Sequence, residues 1–156
     1  MYRVFLSYNT PDEMAVVWRL QTLAAASGLH LDVPNATQRL DWATVAPMID
    51  SADSVIAFLT DRATPQVKKE LSYALNKNIP VIPIVERGTV TTPVQTILNN
   101  KDVPVFTLEA GNPWRMENEL AEYLRKKKYD KDTRNAILAI AGTFIGLFLL
   151  NKLTET

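Results

Sequence analysis

Ser54-Val55-Ile56-Ala57-Phe58-Leu59, then Thr64-Pro65-Gln66-Val67-Lys68-Lys69-Glu70-Leu71, then Ile79-Pro80-Val81-Ile82-Pro83-Ile84-Val85 set the architecture of the chain. Two apolar runs flank a segment at helical period, and Pro, Asn or Asp bounds each one. That succession reads as strand, crossover helix and parallel strand. The second run, Ile79 to Val85, is nearly all apolar, as expected of a strand covered on both faces. Pro80 and Pro83 each remove a ladder donor, so the second run is expected to be a short strand.

The same alternation extends in both directions. Arg3 to Tyr8 reads as a first strand, ended by Asn9-Thr10-Pro11. Thr10 or Asp12 can cap the following helix, with Pro11 or Glu13 in its first turn. Val16, Leu20 and Leu23, with Val17 and Ala24, recur at helical spacing as a buried face, and Gly28 ends the helix in a left-handed cap. Leu29 to Val33 is a second strand, and residues 34–39 are polar and read as a loop. From Asp41 a helix carries Trp42, Val45, Met48 and Ile49 on one face, kinked or broken at Pro47. Beyond the central unit come a short helix around Val94 to Leu98, a strand over Val103 to Leu108, and an amphipathic helix from Asn112 or Pro113 with Trp114, Leu120 and Leu124. The expected fold is α/β, a five-stranded parallel sheet flanked by helices.

Seventeen basic residues balance seventeen acidic ones, so no overall field draws the chain to nucleic acid. The lack of cysteine excludes disulfides, thiolate nucleophiles and Cys-bound zinc, and fits a reducing cytosol. The apolar start at Tyr2 to Leu6 is too short for a signal-peptide core, so the domain is expected in the cytoplasm. Five glycines form neither a P-loop nor GxGxxG. The only histidine, His30, falls within a strand and suits a structural role; no metal site is expected.

Ala136 to Leu150 is an uncharged, nearly all-apolar run. As a helix it rises about 22 Å against a hydrocarbon core of about 30 Å, and Asn135 to Leu153 reaches about 28 Å if Lys152 snorkels. Arg125, Lys126, Lys127, Lys128, Lys131 and Arg134 precede the run and only Lys152 follows, an asymmetry that would keep the globular part cytoplasmic. Gly142 and Gly146 have GxxxG spacing. The tail is expected either to anchor the chain in a membrane or to bury itself against the domain or other copies. Residues 1–128 are taken as the domain, 129–135 as a basic linker and 136–153 as the hydrophobic helix.

Among the carboxylates, Glu70 falls in the first turns of the helix after the third strand, at the carboxyl edge where open α/β sheets bind ligands. From position alone the favoured reading is that it pairs with Lys69, Lys77 or a neighbour on a solvated helix face. Asp12, Asp41 and Asp61 read as caps and turn residues.

Val4-Phe5-Leu6-Ser7-Tyr8 with Asp12, then Asp41-Trp42, then residues 49–60, then Thr64 to Leu71 with Ala74 and residues 78–84, resemble in order the motifs of the bacterial TIR (Toll/interleukin-1 receptor) family. The resemblance covers roughly residues 3–125 and implies a flavodoxin-like fold. It also implies that Glu70 is the catalytic residue of an NAD+ nucleosidase, hydrolase or cyclase, with NAD+ as substrate and no cofactor. Ser7, Tyr8, Asp41, Trp42 and the position of Gln66 would line the pocket. Many enzymatic members carry an aromatic residue where this chain has Gln66, so ring stacking is lost there. The resemblance further implies self-association and a role in defence or cell-death signalling. The family also contains non-enzymatic adaptors that dock through the loop corresponding to residues 34–40. A nucleoside-processing transferase of similar architecture would also place a carboxylate near a ribose.

Overall fold

A computed structural model describes residues 2–8, 14–60, 62–109 and 111–154, without the side chains of residues 14–17, 36, 144 and 147–154. Thr10, Pro11, Asp12, Glu13 and Asp61, expected as caps and first-turn or turn residues, lie outside the described residues, as do the side chains of Val16 and Val17. Strands β1 (Tyr2–Tyr8), β2 (Leu29–Asp32), β3 (Ser54–Leu59), β4 (Val81–Glu86) and β5 (Phe106–Leu108) form one parallel sheet in the order β2-β1-β3-β4-β5. The connecting helices are α1 (Met14–Ala26), α2 (Ala36–Arg39), α3 (Trp42–Asp50), α4 (Pro65–Asn76), α5 (Thr92–Asn100), α6 (Pro113–Lys126) and α7 (Lys131–Thr154). This is the flavodoxin-like α/β fold, whose strand order reverses between β1 and β3 and opens a crevice at their carboxyl ends.

Period-two alternation sorts the strand side chains between two helical layers. Val4 and Leu6 of β1, Ile56 and Phe58 of β3, and Ile82 and Ile84 of β4 face Leu20 and Ala24 of α1 and Met116, Leu120 and Leu124 of α6. Phe5, Val55, Ala57, Leu59, Val81 and Val85 face the other way, onto α3, α4 and α5. Every residue of β3 is buried, as a central strand with helices on both faces requires.

Pro83 stands inside β4 opposite Ala57 of β3. Successive residues of a strand direct their peptide groups to opposite neighbours, and the Pro80 carbonyl accepts Val55 N–H of β3 at 2.8 Å. Pro83 therefore turns its missing donor toward β5, whose pairing with β4 begins only at Ile84. The proline costs the sheet no ladder bond, and β4 is a full central strand. Pro47 lies within α3, which continues through it. Gly28, at φ 79°, ends α1 in the left-handed region as expected.

Two expectations need correction. Leu23 is 47% exposed and Trp114 65% exposed, so the buried faces of α1 and α6 rest on Leu20 and Ala24 and on Met116, Leu120 and Leu124. Residues 36–39 form a short helix, α2, instead of a loop. Among the described residues no helix is long and apolar enough to cross a membrane. Helix α7 starts at Lys131 and packs between α1 and α6, burying Ala136, Ile137, Ile140, Ala141 and Ile145 in the same core as Val4 and Leu6. Among the described residues, a methyl group added at Gly142 or Gly146 would meet nothing within 4 Å, so their spacing marks no close helix contact there.

Candidate active site

Helix α4 begins at a well-defined place. Thr64 accepts Val67 N–H at 3.3 Å as N-cap, and Pro65 occupies the first turn, where its missing donor costs nothing. Val67, Glu70, Leu71 and Ala74 then follow at helical spacing on the buried face of α4. Glu70 is thus a carboxylate on an apolar stripe, and it is fully buried. Its apparent partners on a solvated face are engaged elsewhere: Lys69 Nζ lies 4.4 Å from the Trp42 ring centroid, and Lys77 Nζ lies 4.0 Å from Asp50.

A buried carboxylate must be hydrogen-bonded or neutralised, and here it is both. Ser7 is the residue after next from Phe5 on the α4 side of β1, and its Oγ donates to Glu70 Oε1 at 2.7 Å. Arg39 approaches from α2 with a fork of donors, Nη2 to Oε1 at 3.0 Å and Nε to Oε2 at 3.2 Å. Its Nη1 donates to the Tyr8 carbonyl at the end of β1. Gln66, one turn before Glu70 on α4, donates from Nε2 to Oε2 at 3.1 Å. The four acceptor positions of an ionised carboxylate are therefore all taken, two on each oxygen. The Arg39 side chain is 8% exposed and that of Glu70 is 0% exposed.

Of the residues expected at the site, the structure gathers Ser7, Gln66, Glu70 and the Tyr8 backbone at the reversal of strand order. The Tyr8 ring packs against Phe58 with centroids 5.9 Å apart. Asp41 is the N-cap of α3, accepting from Ala43 N–H at 3.1 Å and from the Thr44 hydroxyl at 2.9 Å. Trp42 meets Tyr73 edge-on at 5.3 Å beneath Lys69, and the Tyr73 hydroxyl donates to Asp50 at 2.8 Å. That bond to a carboxylate is the main reason the Tyr73 phenol is raised above its ordinary value. The described partners of Asp41 and Trp42 thus lie along α3 and the outer face of α4. His30 sits on the edge strand with Nε2 2.8 Å from Asp32 Oδ1.

Arg39 is the residue that the sequence reading missed. Asn35 and Gln38 form a capping box, Gln38 N–H donating to Asn35 Oδ1 at 2.8 Å and Asn35 N–H to Gln38 Oε1 at 3.0 Å. An Asn-x-x-Gln pattern is a helix-start signal, and it could have revealed α2 and the basic residue at its end.

A family model of the TIR domain matches residues 4–124. No curated protein matches the chain. The matched span runs from within β1 into α6, covers the sheet apart from Tyr2 and Arg3, includes Glu70, and stops short of α7; over it, the chain belongs to the TIR domain family.

Proposed function

We propose that this chain is a TIR-domain NAD+ nucleosidase in which Glu70 is the catalytic carboxylate. The observation that carries the reading is the placement of Glu70: a carboxylate on the buried stripe of α4, at the strand-order reversal and 2.7 Å from the Ser7 hydroxyl. Packing alone would favour an apolar residue there, because a buried ion pair seldom stabilises a fold more than hydrophobic residues of the same volume.

The chemistry suits a single carboxylate. When the bond between C1′ of the ribose and the pyridinium nitrogen breaks, the electron pair goes to the ring and nicotinamide departs neutral, so no general acid is required. The ribose is left with oxocarbenium character, which an adjacent carboxylate stabilises while it grips the ribose hydroxyls. Water attack at C1′ releases ADP-ribose and a proton, and attack by a group within the same molecule gives a cyclised product. Ser7 holds Oε1 in place. Gln66 offers a hydrogen bond where an aromatic ring would stack. In this reading self-association raises the local density of domains, and the biological setting is defence or cell-death signalling.

The adaptor reading is favoured by one observation: all four acceptor positions of Glu70 are occupied by protein donors. The two readings separate on NAD+ consumption by the purified full chain at high protein concentration, beside Glu70→Gln. Glu70-dependent loss of NAD+ supports the enzyme, and the product distinguishes hydrolase from cyclase. No consumption at any concentration, with Arg39 replaced as well as intact, would leave the adaptor.

A further inference from the structure

We propose that Arg39 is a latch on Glu70, one that must withdraw before the carboxylate can take a ribose. The inference rests on the nucleosidase reading for its substrate, but the latch itself rests on geometry. Of the groups that occupy Glu70, Ser7 belongs to β1 and Gln66 to α4, so both are fixed in the same frame as the carboxylate. Arg39 alone reaches it from a separate unit. It supplies one donor to each oxygen, and its third described bond, to the Tyr8 carbonyl, holds the guanidinium across the end of β1.

Helix α2 is built so that Arg39 can leave as a piece. The capping box closes the helix on itself, and its backbone bonds, Arg39 N–H to Asn35 O and Leu40 N–H to Thr37 O, are internal. Among the described residues, the side-chain hydrogen bonds that tie α2 to β1 and α4 are those of Arg39, and the backbone bond that leads out of α2 runs from Asp41 N–H, at the start of α3, to Gln38 O at 3.1 Å, where the chain passes directly into the next helix. Leu40, the residue after Arg39, is 89% exposed and adds little burial to hold the unit down. The opposing force is a bidentate guanidinium–carboxylate pair, strong yet exchangeable for another bidentate acceptor. A dinucleotide carries such an acceptor in its diphosphate. Removal of Arg39 opens one acceptor position on Oε1 and one on Oε2, the two that a vicinal diol would fill, while Ser7 and Gln66 continue to orient the group.

The test uses the full chain, wild type and with Arg39→Gln or Arg39→Lys, each also combined with Glu70→Gln. Two readouts are taken: NAD+ consumption, and modification of Glu70 by a water-soluble carbodiimide with glycinamide, read by mass spectrometry. A latched state leaves the open form a minor population, so Arg39→Gln should raise both modification and turnover about ten- to a thousandfold. The added Glu70→Gln should abolish turnover. Arg39→Lys retains the charge but gives up the fork, and should fall between wild type and Arg39→Gln on a folded chain even if Arg39→Gln melts early. Increased modification with no NAD+ loss in any variant would support the latch and overturn the nucleosidase reading beneath it. Equal modification of Glu70 in wild type and both variants, or turnover that falls when Arg39 is replaced, would overturn the latch.

Discussion

Glu70 and Arg39 are nearly inaccessible to solvent, so each depends on the other for its charge to be tolerated. Removing one member of such a pair strands the other in a low-dielectric setting, at a cost of about 3–5 kcal/mol. Arg39→Gln should lower stability by that order in a denaturant melt at neutral pH. Arg39→Gln with Glu70→Gln should recover most of the loss, because no uncompensated charge remains; independent additive losses would show that the pair is not coupled. Ser7→Ala should cost less, about 1.5–3 kcal/mol, since Oε1 keeps the Arg39 Nη2 donor. Part of this site was legible beforehand. The resemblance singled out Glu70, Ser7 and Gln66, while position alone favoured a solvated helix face for Glu70; the helical spacing of Glu70 with Val67, Leu71 and Ala74, and the strand spacing of Ser7 with Phe5, are the local signals that agree with the site. The partnership with Arg39 was not legible, because it joins residues 31 apart through the path of the chain between β2 and α3, which no local spacing encodes.

Elements were most readable where local chemistry and burial agree. Thr64-Pro65 marks the start of α4, Gly28 the end of α1, and β3, apolar after Ser54, is bounded as the sequence suggests. They were less readable where a choice depends on neighbours: whether Pro83 breaks β4 depends on where β5 begins, and what covers the apolar face of α7 depends on the gap between α1 and α6. Two predictions belong to α7. Ile140 is 1% exposed within the shared core, so Ile140→Ala should destabilise the whole domain by about 2–5 kcal/mol in a single cooperative transition. At the helix start, Thr133 N–H donates to Asp130 Oδ1 at 2.7 Å. The Thr133 hydroxyl first, and its N–H second, hold the Asp130 carboxyl below its ordinary value of 3.8. A lowered folded-state value means that the charged cap contributes fully above 3.8 and is lost as pH falls through the folded value. Asp130→Asn retains a neutral cap. Its melting temperature should lie below that of wild type at neutral pH, and the gap should close under acid; a gap that is constant with pH would exclude a charge contribution.

The whole molecule has more core than the family span alone defines. Residues 4–124 take in the sheet apart from Tyr2 and Arg3 and the helices from α1 to nearly the end of α6, yet one face of that sheet is closed by three helices, of which α7 lies outside the span. Three buried isoleucines of α7, Ile137, Ile140 and Ile145, each contribute about 1.5–3 kcal/mol of burial. Together these approach the entire net stability of a typical domain, about 5–15 kcal/mol. The apolar character that makes the tail look like a membrane segment is thus used internally as far as Ile145, and its low amphipathicity follows from lying in a groove between α1, α6 and the strands. A chain ended at Lys128 would leave Leu20, Ala24, Leu120, Leu124 and the facing strand residues without their cover. That truncated chain should bind an apolar dye such as ANS, lose its cooperative melt and associate nonspecifically, while the full chain melts in one transition. An unchanged, cooperative, monomeric melt for the truncated chain would mean that α7 rests on a domain already complete at residue 128. Loss of cooperativity would make α7 part of the folding unit, so NAD+ assays would have to be made on the chain that includes it.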